Sequence, residues 1–240
     1  MESIQLMNRK SERGFTLVEL AIVMIIIGLL IGGILKGQEL IANAQVGATV
    51  AQVKALDAAT TTFRDKYNAL PGDMNNVATR LANCAGCTDG DGDGRIENGV
   101  AVTAPWVAPA NEGLDVFIEL SAADLLGGIS NSGAGGWGDQ FPESKVGGGY
   151  HAAYSPGGAF GANAAASPGH YLGLVSTAGA VAANNALTSN QAARIDTKLD
   201  DGRANTGSVF SNAGAACSTA GDYNQQTTAK QCDLAIRFQN

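Results

Sequence analysis

Large apolar residues are spread unevenly along this chain. Phe15 to Leu35 reads FTLVELAIVMIIIGLLIGGIL, an apolar run broken by one charge, Glu19. About 20 such residues, wound as a helix, span the ~30 Å hydrocarbon core of a bilayer. The run is too long for the apolar segment of an ordinary cleaved secretory signal, and no Ala-x-Ala directly follows it. Beyond it the pattern changes. Val46, Val50, Val53, Leu56, Phe63 and Tyr67 recur every three or four residues with one gap at Thr60, while Gln45, Gln52, Lys54, Asp57, Arg64 and Asp65 fall mostly off that line. This is an amphipathic helical stripe. No proline occurs before Pro71. The pattern therefore predicts one helix from Phe15 to about Asn68, roughly 80 Å long at 1.5 Å per residue. Its first half is apolar all round, and its second half is apolar on one face only.

After Pro71-Gly72 the signals weaken. Asn111 to Leu126 reads as a short helix capped by Asn111 and stopped by Gly127-Gly128. Ser189 to Asp201 reads as another. Tyr171 to Ser176 is a candidate strand, and Cys232, Leu234, Ile236 and Phe238 alternate with polar or small residues as in a half-buried strand. From Gly127 to about Ala186 the chain is rich in Gly, Ala, Ser and Asn, and most of it reads as a mobile loop with a few buried aromatic anchors. These signals together predict an α+β fold. The long helix packs its second half on a small antiparallel sheet built from C-terminal strands.

Composition narrows the function. Only 15% of the 240 residues are charged, against roughly 25% in ordinary soluble domains. The net charge of −7 speaks against binding nucleic acid through a general basic surface, and no nucleic-acid partner is expected. The two histidines, His151 and His170, lack companion ligands at metal spacing and read as structural or solvent-facing. The nucleophile, zinc-protease and phosphate-loop motifs are absent, so no enzymatic activity is expected.

Two clusters carry candidate chemistry. Asp89-Gly-Asp91-Gly-Asp93-Gly94-Arg95-Ile96-Glu97 places alternate carboxylates on a glycine-rich chain, an oxygen cage suited to Ca²⁺. Asp89, Asp91 and Asp93 match the first, third and fifth positions of an EF-hand-like loop, with the Arg95 carbonyl and Glu97 further on. Val100 stands where the bidentate Glu of a standard EF-hand belongs. The second cluster is the cysteines. Cys84, Cys87, Cys217 and Cys232 allow three disulfide connectivities. Local pairing gives Cys84–Cys87 and Cys217–Cys232, and an exported domain favours disulfides over four-thiolate zinc. Asp196, Asp200 and Asp201 end a predicted helix, where acids oppose the helix dipole. They suit a loop cap or a second cation.

Position settles the export question. Arg9, Lys10 and Arg13 precede the apolar run and only Lys36 follows closely, so the N-terminus is expected in the cytoplasm and the remainder across the membrane. Arg13-Gly14-Phe15-Thr16-Leu17-Val18-Glu19-Leu20, followed by the apolar run, resembles the signature of type IV prepilins, a family that includes type IV pilins and type II secretion pseudopilins. The resemblance implies cleavage by a prepilin peptidase between Gly14 and Phe15 and N-methylation of Phe15. It implies that Glu19 neutralises the terminal amine of a neighbouring subunit during assembly. The chain then divides into a leader (1–14), a membrane and filament-core helix (15–35), the amphipathic half of that helix (36–70) and an exported domain (71–240). The implied partners are other pilin or pseudopilin subunits, the processing peptidase and methyltransferase, an inner-membrane assembly platform and the lipid bilayer. The implied location is the inner membrane, then a periplasmic or extracellular filament. The other function left open is a minor subunit whose domain binds a surface, a secreted substrate or DNA. Small residues spaced four apart, Gly28/Gly32 and Gly33/Gly37, favour helix–helix contact.

Overall fold

Helix α1 (Leu17–Tyr67) begins at a reciprocal cap. The Glu19 N–H donates to the Thr16 hydroxyl at 3.3 Å, and the Glu19 carboxylate accepts the Thr16 N–H at 2.8 Å and its hydroxyl at 2.7 Å. This capping box satisfies two of the donors that a helix start leaves open. The helix ends at Asn68, which takes a left-handed φ of 51° and donates its N–H to the Arg64 carbonyl at 2.8 Å. Pro71 then prevents continuation. The computed structural model describes residues 14–84, 86–97, 112–130, 135–160, 163–179, 186–211, 214 and 216–239.

The chain forms two compact units, Met1–Asn43 and Ala44–Asn240. The described part of the first is the cap and the apolar half of α1. Its large apolar side chains, from Phe15 through Leu29 to Ile41, are all exposed. The helix is long and apolar enough to cross a membrane.

The second unit contains every other element: α2 (Val77–Arg80), α3 (Glu112–Ala122), β1 (Gly149–Ser155), β2 (Gly158–Phe160), β3 (Asn163–Ala166), β4 (Gly169–Val175), β5 (Leu187–Thr188), α4 (Ser189–Leu199), β6 (Val209–Ser211), β7 (Ser218–Thr219), β8 (Asp222–Tyr223), β9 (Lys230–Cys232) and β10 (Leu234–Phe238). The main sheet is fully antiparallel with order β1-β4-β10-β6. Tyr150, Leu174, Leu234 and Ser211 lie in register across it, and so do Ala152, Leu172, Ile236 and Val209. That face joins the core formed by Val46, Val50, Val53, Leu56 and Phe63 of α1. The other face carries Tyr171, Val175, Phe210 and Ala235, with Trp137 packed against them. The gap in the α1 stripe is filled: Thr60 is buried and its hydroxyl donates to the Leu56 carbonyl at 2.9 Å. The result is a long helix on a small antiparallel sheet, the α+β layout of pilins.

Three expectations are corrected. The stretch from Gly127 to Ala186 holds, besides the expected strand seen as β4, a second seven-residue strand, β1, which pairs with β4 along its whole length. Both faces of these strands are covered, so they lack the apolar–polar alternation of a half-exposed strand. Helix α3 stops at Ala122, short of Leu126. Asp124 supplies the left-handed residue (φ 60°), and the Leu125 N–H closes on the Leu120 carbonyl at 3.0 Å, a Schellman-type end. The strand expected from Cys232 to Phe238 is two: β9 pairs with β5 and β10 with β4 and β6. They break at Asp233, whose carboxylate accepts the Ala186 N–H at 3.2 Å. The proposed Asn111 cap lies outside the described residues. Cys84 is joined to Cys87, and Cys217 to Cys232.

Candidate functional site

The residues expected to be processed sit at the head of α1. Gly14 and Phe15 precede the helix, outside any regular element, and both are exposed. Glu19 is one turn in, and the capping box with Thr16 occupies its carboxylate. Sequence reasoning gave Glu19 an intermolecular role and missed this local one, although Thr16-x-x-Glu19 ahead of an apolar run is its sequence signature.

The second site is acidic and lies wholly in the second unit. Three segments meet there: the Leu70–Asp73 turn, the Asp89–Glu97 loop and the start of α3. Glycine is required at two of the contacts. At Gly72 (φ +88°) a Cβ would stand 2.4 Å from the Glu112 carbonyl, and at Gly90 a Cβ would stand 2.4 Å from the Asp73 backbone. The Gly90 N–H donates to the Met74 carbonyl at 3.0 Å, holding loop to turn. Helix α3 presents Glu112, Asp115 and Glu119 on one face, because spacings of three and four share a face.

These carboxylates organise the loop. Asp73 accepts the N–H groups of Gly92 at 2.8 Å and Gly94 at 2.9 Å. Glu112 accepts those of Asp91 at 3.0 Å and Glu97 at 2.7 Å. Asp115 accepts the Thr88 N–H at 2.9 Å and also its hydroxyl. Glu119, fully buried, accepts the Gly72 N–H at 2.7 Å with one oxygen, while its other oxygen has no hydrogen-bond partner. Burial is the main force raising the pKa of each, with neighbouring carboxylates adding to it at Asp73, Glu112 and Glu119: Glu112 reaches about 7, Glu119 about 8, and Asp73 and Asp115 move the same way.

The loop residues singled out from sequence go to different tasks. Asp91 comes together with Asp73 and Glu112, one carboxylate oxygen of each lying within 4.8 Å of the others. Asp89 instead accepts the Val77 N–H at 2.8 Å and anchors α2. Asp93 accepts the Arg95 N–H at 2.8 Å and lies 3.9 Å from the Arg95 guanidinium, which also reaches Glu97 at 4.0 Å. Asp73, Glu112, Asp115 and Glu119 escaped sequence reasoning. The signal was the acidic spacing of three and four in α3, which is overlooked when only the apolar stripe of that helix is followed.

Asp196, Asp200 and Asp201 also group within 4.8 Å. All three hold the following loop. Asp196 accepts the Tyr223 hydroxyl at 2.8 Å and the Gly202 N–H at 3.1 Å, Asp200 the N–H groups of Ser208 and Val209, and Asp201 the Arg203 N–H at 2.8 Å. His151 and His170 are both buried among aromatic rings.

An exposed apolar helix entered through Gly-Phe-Thr and capped by Glu, continuing into a helix-on-sheet domain, is a pilin-like layout. Comparison with known families agrees: residues 9–35 match the prokaryotic N-terminal methylation motif, the prepilin motif of type IV pilins and pseudopilins. No curated protein and no solved structure matches the chain.

Proposed function

We propose that this chain is a structural subunit of a type IV pilus or a type II secretion pseudopilus. The apolar half of α1 holds it in the inner membrane, with its N-terminus in the cytoplasm and its second unit on the far side. Cleavage between Gly14 and Phe15 and methylation of Phe15 prepare it for assembly with other subunits. The bare apolar surface of α1 from Phe15 to Ile41, directly behind the methylation motif, carries this reading. Such a surface is stable only in lipid or against other apolar helices, and a membrane-borne subunit that polymerises meets both.

Glu19 decides the assembly step. Its carboxylate caps its own helix, and on entry to a filament it pairs with a neighbour's N-terminal ammonium. The substitution Glu19→Gln separates the two roles, because glutamine also completes a capping box but carries no charge. Removing one member of a buried ion pair typically costs about 3–5 kcal/mol. The variant is expected to insert and be cleaved as the parent is, while the yield of sheared filament falls at least about tenfold. Parent-level filament yield from Glu19→Gln would show that the charge is dispensable and overturn the proposed assembly role.

A further inference from the structure

The EF-hand-like reading of the Asp-Gly loop puts its ligands in one stretch of chain. The fold brings together a different set. Asp73 comes from the Leu70–Asp73 turn, Asp91 from the loop and Glu112 from the first turn of α3. Two oxygens bound to one Ca²⁺ at 2.3–2.6 Å lie at most about 5 Å apart, and the carboxylate oxygens of Asp73, Asp91 and Glu112 lie within 4.8 Å of one another. Asp73 and Glu112 are buried and Asp91 is exposed, so the group has a dry side and an entry side.

We propose that Asp73, Asp91 and Glu112 bind one Ca²⁺, which clamps the turn, the loop and α3 together. An independent observation supports a cation here. Glu119 is 0% exposed, and one of its oxygens has no donor. Its other oxygen accepts the Gly72 N–H at 2.7 Å, next to Asp73, so the unpartnered carboxyl stands beside the same group. A buried carboxyl oxygen left without a hydrogen-bond partner is costly. Among the described residues no Lys or Arg pairs with Asp73, Glu112, Asp115 or Glu119; the nearby Arg95 is spent on Asp93 and Glu97. A divalent cation supplies the missing positive charge. The donors are all hard oxygens, held partly by a flexible loop. That suits the adaptable shell of Ca²⁺ better than the strict octahedron of Mg²⁺.

The test is calorimetric, on the full chain in detergent micelles after chelator treatment, titrated with CaCl₂ or MgCl₂. It uses unassembled protein, so its outcome is independent of the filament reading. One Ca²⁺ per chain is expected, with Mg²⁺ binding weaker by at least about tenfold. Asp91→Asn changes an exposed side chain and leaves the core intact. It is expected to weaken Ca²⁺ binding by at least about tenfold, as is Glu112→Gln, while Asp89→Asn and Asp93→Asn stay within about twofold. Absence of Ca²⁺ binding at millimolar concentration overturns the proposal. So does parent-like affinity in Asp91→Asn. Loss of binding in Asp89→Asn or Asp93→Asn, with circular dichroism unchanged, restores the contiguous-loop ligand set in its place.

Discussion

The two halves of α1 share one backbone and differ in what their side chains meet. From Leu17 to Asn43 the helix carries large apolar residues on every side, and all of them are exposed. From Ala44 to Tyr67 it carries one apolar line, and Val46, Val50, Val53, Leu56 and Phe63 along that line are buried. Helical periodicity makes this division. A stripe needs one partner surface, and the second unit supplies it within the chain. A helix apolar all round needs partners on all sides, and those must come from lipid or from other chains. The order within the chain thus separates a folding problem from an assembly problem, and substitutions in the two halves report on different processes.

The most direct break in that comparison is a matched pair of truncations. Phe63 is fully buried, and Leu29 is 73% exposed. Phe63→Ala is expected to destabilise the second unit by about 3–5 kcal/mol, the usual cost of emptying an aromatic core position. Leu29→Ala is expected to leave the unfolding of that unit unchanged. Urea denaturation in detergent, followed through tryptophan fluorescence, compares the two. Equal losses would mean that the halves are not energetically separate.

Acid sharpens the contrast, because the described first half of α1 has no histidine and the second unit buries two. His151 packs against Trp137 and Phe141, its Nε2 accepts the Gly179 N–H at 3.2 Å, and burial lowers its pKa from 6.5 to about 4. Between those values the unfolded chain binds more protons than the folded one, so stability is full above pH 6.5 and falls as the pH drops towards 4. The shift corresponds to about 3 kcal/mol at most. Burial raises Asp196 to about 7, which works in the opposite direction, so the variant rather than the raw profile isolates the effect. His151→Gln retains an acceptor and removes the titration. Its denaturation midpoint is expected to fall less than the parent's between pH 7 and 5. Identical slopes would show that His151 does not carry the acid sensitivity.

The parts legible from sequence were those with a strong period or a unique signature. The α1 stripe, the α4 segment and the alternation of Leu234, Ile236 and Phe238 each state a partner surface. Strand β1 and its pairing with β4 were illegible because Tyr150, Ala152, Leu172 and Leu174 face α1 while Tyr171 and Val175 face the other way, so no position needed to be polar. The acidic site was legible by half. Asp91 stands in a visible Asp-Gly repeat, whereas Asp73 and Glu112 reach it only through tertiary contacts, the close approaches at Gly72 and Gly90 and the hydrogen bonds to the loop N–H groups. Local pattern gave no register between those segments.

The smallest test uses the two capping boxes, one in each unit. Thr16 with Glu19 opens α1, and Thr188 with Gln191 opens α4. In the second box the Gln191 N–H donates to the Thr188 hydroxyl at 3.2 Å, and the Gln191 amide oxygen accepts the Thr188 N–H at 3.0 Å. Helix α4 is short, and its Ala192 and Ile195 are fully buried in the core, so fraying at its start pulls on packed side chains. Thr188→Ala is therefore expected to cost the second unit about 1 kcal/mol. Thr16→Ala removes the same motif from the other unit, and the unfolding of the second unit is expected to be unchanged. A measurable loss in that unit from Thr16→Ala would mean that the head of α1 is coupled to the domain through the length of the helix, and the division at Asn43 would then describe contacts without describing energetics.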